Sequence, residues 1–64
     1  MTEEDARDVI VRQWLALPPE DRATDDQAAA FATRMQERYD FESRGDRHAI
    51  IMGWLLPYVG RPGS

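Results

Sequence analysis

The apolar run from Ala49 to Leu56, interrupted only by Gly53, is the feature that most constrains how this chain folds. As a helix, this run carries apolar side chains on three sides, and a helix that is apolar all round is normally buried on all sides. The chain has 64 residues, and a domain of that length buries only roughly 60% of the surface that its unfolded chain exposes. We therefore expect part of this helix to stay exposed or to contact another chain.

Two earlier segments have helical periodicity. Thr2 is placed to cap the first segment, and Pro18 and Pro19 end it. Its apolar stripe has spacings of three and four: Ala6, Ile10, Trp14 and Leu17. The second segment begins at Thr24, which forms a capping-box pattern with Gln27. Its apolar face then follows: Ala28, Phe31, Ala32, Met35 and Tyr39.

These patterns predict an all-α fold, a small three-helix bundle with helices at about 3–17, 25–40 and 47–56. Asp46 is placed to cap the third helix, and Pro57 ends it. Tyr58 and Val59 are expected to fold back on the core as a short C-terminal tail. We expect a single helical domain over residues 1–60 and a flexible tail over 61–64.

The first and third helices resemble each other at an offset of forty residues. The recurring residues are Arg7, Ile10, Trp14 and Leu15, matched by Arg47, Ile50, Trp54 and Leu55. This correspondence predicts core positions for Ile50, Ile51, Trp54 and Leu55. The surplus apolar residues of the third helix are then Met52 and Leu56, with Val11 and Leu15 as companions outside the stripe of the first helix. These four residues form the candidate interaction surface: Val11, Leu15, Met52 and Leu56.

The residues that catalysis needs are scarce in this sequence. The chain has no cysteine and a single histidine, His48, which we expect at the start of the third helix. The acidic groups near Glu3 and Asp25 lie at helix starts, where carboxylates complement the helix dipole. Because the four glycines are dispersed and His48 has no partner at ligand spacing, we expect no catalytic residues, no cofactor, no metal site and no small-molecule substrate.

The charge distribution argues against a general nucleic-acid binder. The net charge is −4, and the third helix offers almost no side chain that reads base edges. A weaker hypothesis places four arginines on one surface as an anion contact: Arg34, Arg38, Arg44 and Arg47. Interleaved acids such as Glu37 and Asp40 offset that positive charge.

Together these observations predict a non-catalytic, small helical protein–protein interaction or regulatory module. Its partner is either a second copy, forming a homodimer through the third helix, or a different protein. Two alternatives remain: a small nucleic-acid-associated regulator that uses the four arginines, and an acidic inhibitor that mimics nucleic acid. The acidic start of the chain does not resemble a signal peptide, and the apolar run is too short to span a membrane, so we expect a cytoplasmic protein without stable membrane association.

Overall fold

A computed structural model of the chain describes residues 1–41, 43 and 45–60. It contains three α-helices, α1 (Glu3–Ala16), α2 (Asp25–Arg38) and α3 (Arg47–Leu55). Two short 3-10 helices follow α1 and α3, at Pro19–Asp21 and Leu56–Tyr58. Within those described residues there is no β-strand, and the predicted small three-helix bundle is confirmed.

Each α-helix begins at the capping residue that the sequence indicates. The Thr2 hydroxyl accepts a hydrogen bond from a first-turn amide of α1 at 3.1 Å. At the start of α2, Thr24 accepts from the Gln27 backbone N–H at 3.2 Å, and the Gln27 side chain accepts from the Thr24 N–H at 3.1 Å. The Asp46 carboxylate accepts from the second amide of α3 at 3.0 Å. These bonds satisfy amides that have no partner inside the helix.

The α-helices end one or two residues earlier than predicted. Leu17 has extended backbone angles because the following Pro18 disfavours the helical region. Tyr39 is also extended, and its N–H closes α2 on the carbonyl of Met35 at 2.9 Å. At Leu56 the chain keeps helical angles but tightens into the second 3-10 helix, whose proline cannot donate a backbone hydrogen bond.

The core lies where α3 packs against both other helices, more extensively against α2 than against α1. By contrast, α1 and α2 are joined through side chains: the rings of Trp14 and Phe31 lie 5.3 Å apart, and Gln13 Nε2 donates to the Tyr39 hydroxyl. The buried apolar residues come from all three helices and the loop before α3: Ala6, Ile10, Trp14, Ala28, Ala32, Met35, Phe41, Ile51 and Leu55.

The C-terminal end of the described chain folds back as predicted, but only in part. Val59 packs against the core, and the Gly60 N–H donates to the Arg22 carbonyl at 3.0 Å. Tyr58 was expected to do the same; it lies at the cleft beside α1, and 37% of its surface stays exposed. The 3-10 turn that includes Pro57 directs successive residues to different sides, so Val59 and Tyr58 do not share a face. The predicted flexible tail at 61–64 lies outside the described residues.

Candidate interaction surface

The four residues of the candidate surface have different environments. Leu15 and Leu56 are exposed, at 38% and 46% of their surface. Val11 is half-buried, and Met52 is half-buried against the core. Leu56 and Leu15 are therefore available to a partner to a greater extent than Val11 and Met52 are.

A cleft of about 520 Å³ separates α1 from the end of α3 and the second 3-10 helix. Its lining is mixed: Arg7, Asp8 and Val11 lie on the α1 side, and Gly53, Trp54, Pro57 and Tyr58 lie on the other. Leu56 immediately precedes two of these residues in the chain, and Leu15 lies one turn beyond Val11 on the same side of α1. We call these six residues the α1–α3 face: Val11, Leu15, Trp54, Leu56, Pro57 and Tyr58.

The similarity between the first and third helices does not extend to their environments. Trp14 is fully buried, whereas its counterpart Trp54 is half-buried, contacts Phe41 at a ring distance of 5.4 Å and lines the cleft. For the leucines the α3 residue is the buried one: Leu55 is fully buried, whereas its counterpart Leu15 on α1 is exposed. The prediction of a core position is confirmed for Ile51 and Leu55 and holds in part for Trp54, which packs against the core while it also lines the cleft.

Ile50, the remaining member of that prediction, is half-buried against the core. The reason for these differences is position in the bundle, since α3 contacts both other helices while α1 has only one close helical neighbour. The sequence pattern did not indicate that Trp54, Pro57 and Tyr58 belong to the surface. Pro57 carried the available signal, because a proline one residue after an apolar helix changes the direction of the side chains that follow.

A second and larger concavity, of about 810 Å³, lies between α1 and α2. Its apolar residues are Leu17, Phe31, Met35 and the small Ala30. Its polar residues are Gln13, Asp21, Gln27, Arg34, Glu37 and Arg38. We call this concavity the α1–α2 groove. It shares no lining residue with the α1–α3 cleft.

The four arginines of the proposed anion contact are only partly brought together. Arg34 and Arg38 are exposed and line the α1–α2 groove. Arg47 is not among the groove residues, and its guanidinium forms an ion pair with Asp40 at 3.0 Å. Arg44 lies outside the described residues. A shared surface of all four arginines therefore stays a prediction, while the pair on α2 has a defined location.

The histidine is used to join two helices. His48 Nε2 lies 3.1 Å from the backbone carbonyl of Ala29, which can only accept, so the proton of a neutral imidazole is on Nε2. This contact ties the start of α3 to the middle of α2. In the part of the chain that the structure describes, no three His, Cys, Asp or Glu residues are grouped so that they could hold a metal ion.

The fold and these two surfaces define a small all-α bundle with concave areas of mixed polar and apolar lining on two sides. No family model, no curated protein and no solved structure was found to match this chain. None of the helices in the described residues combines the length and apolar character needed to cross a membrane.

Proposed function

We propose that this chain is a small, non-catalytic protein-interaction module that contacts its partner through the α1–α3 face. The observation that carries this proposal is the cleft in which Val11 of α1 meets Trp54, Pro57 and Tyr58. Aromatic residues beside aliphatic ones in a concave site are typical of the centres of protein interfaces.

Two exposed leucines lie next to cleft residues along the chain. Leu56, Pro57 and Tyr58 are consecutive in the chain and all exposed, and Leu15 continues the α1 side of the face. Removing apolar surface from water stabilises a complex by roughly 25 cal/mol per Å² before the costs of association are subtracted. The two leucines and Tyr58 are three of the four large hydrophobic residues that are exposed in the described chain, so a partner that covers them gains this contribution.

The partner on this face is either a second copy or a different protein. Twofold self-association is common among small soluble proteins and would pair the face with itself. Sedimentation of the wild-type chain separates the two cases, since a homodimer should dissociate when Leu56→Glu places a charge at the interface. A wild-type chain that remains a monomer at high concentration assigns the face to a different protein.

Site-specific photo-cross-linking in the native host tests the function itself. A photoreactive amino acid at Leu56 or Tyr58 should give an adduct of defined mass, while the same group at Thr33, an exposed residue of α2, should not. Adding Leu15→Glu should remove the adduct without changing the helical circular dichroism, because Leu15 is exposed. Equal labelling at Leu56 and Thr33 would contradict the proposal.

A further inference from the structure

We draw no further inference here: the strongest candidate, the α1–α2 groove, has a lining in which Asp21 and Glu37 balance the charges of Arg34 and Arg38, and nothing in the structure shows what covers it.

Discussion

Trp14 shows how a single side chain organises this core. Its ring is fully buried, and within the described residues its indole N–H has no hydrogen-bond partner. An unpaired buried donor costs about 1–3 kcal/mol, which the burial of the large ring and its contact with Phe31 offset. Trp54 is the same residue type at the matched position of α3, yet it is half-buried and lines a cleft. Residue type alone therefore does not distinguish a core residue from a surface residue here.

Leu15 and Leu55 allow the difference in stability between an exposed and a buried position to be measured, because they occupy matched positions of α1 and α3. Leu55→Ala should lower the free energy of unfolding by at least about 2 kcal/mol, because it leaves a cavity at a fully buried site. Leu15→Ala should change it by less than about 0.5 kcal/mol, since the residue is exposed. Urea unfolding of both variants measures the contrast, and equal losses would show that Leu15 belongs to the core.

At the scale of elements, the start of α2 is held by several side-chain hydrogen bonds from residues close in the chain. Beyond closing the capping box with Thr24, the Gln27 side chain accepts from the Ala23 N–H at 2.8 Å and donates to the Glu20 carbonyl at 2.8 Å. One side chain thus joins the start of α2 to the preceding 3-10 helix. The start of the helix and the conformation of its connection are stabilised together.

Thr24→Ala removes the hydroxyl of this capping box. The variant should lose about 1 kcal/mol of unfolding free energy, because an amide of the first turn loses its acceptor. Thr33→Ala is the matched control: its hydroxyl bonds to a carbonyl already used by the helix, so we expect a change within about 0.5 kcal/mol. Urea unfolding curves compare them, and a larger loss for Thr33→Ala would refute this role of Thr24.

Gly53 is the weak point of α3. It is exposed inside the helix, and a methyl group added there meets no atom within 4 Å. Gly53→Ala should therefore raise the free energy of unfolding by about 0.5–1 kcal/mol, because alanine loses less conformational entropy in a helix. Thermal unfolding should show a higher midpoint, and a lower one would mean that the added methyl group meets an obstacle.

At the scale of the whole molecule, a backbone hydrogen bond outside the helices holds the C-terminal end of the described chain against the bundle. The Gly60 N–H donates to the Arg22 carbonyl at 3.0 Å, and the buried Arg22 side chain donates to the Leu17 carbonyl at 3.0 Å. The end of the described chain is thereby joined to the connection between α1 and α2. This contact places Val59 against the core.

Gly60→Ala tests this closure. Gly60 has a φ of +75°, in the left-handed region where a side chain costs roughly 1–2 kcal/mol. The variant should lose about 1 kcal/mol of unfolding free energy, the opposite sign to Gly53→Ala, although both substitutions add one methyl group. Parallel urea titrations compare them, and a gain for Gly60→Ala would show that the backbone at this position is free to change.

The sequence by itself determined the three helices, their capping residues and the buried stripes of α1 and α2. These features depend on interactions among residues a few positions apart, such as Thr24 with Gln27 or Ile10 with Trp14. The sequence also indicated that some apolar residues of the predicted third helix would stay exposed, and Leu56, which begins the 3-10 helix after α3, does.

Only the tertiary structure decided which apolar residues those are. Because α3 packs closely against both α1 and α2, Leu55 is enclosed, while Leu15 is exposed, although the two residues occupy equivalent sequence positions. The cleft beside Trp54 and the groove above Phe31 arise from the spaces between helices, which depend on how whole helices are placed relative to one another. The periodicity of one helix carries no information about that placement. The sequence therefore predicted that some apolar residues near the C-terminal helix would stay exposed, but it could not predict which ones.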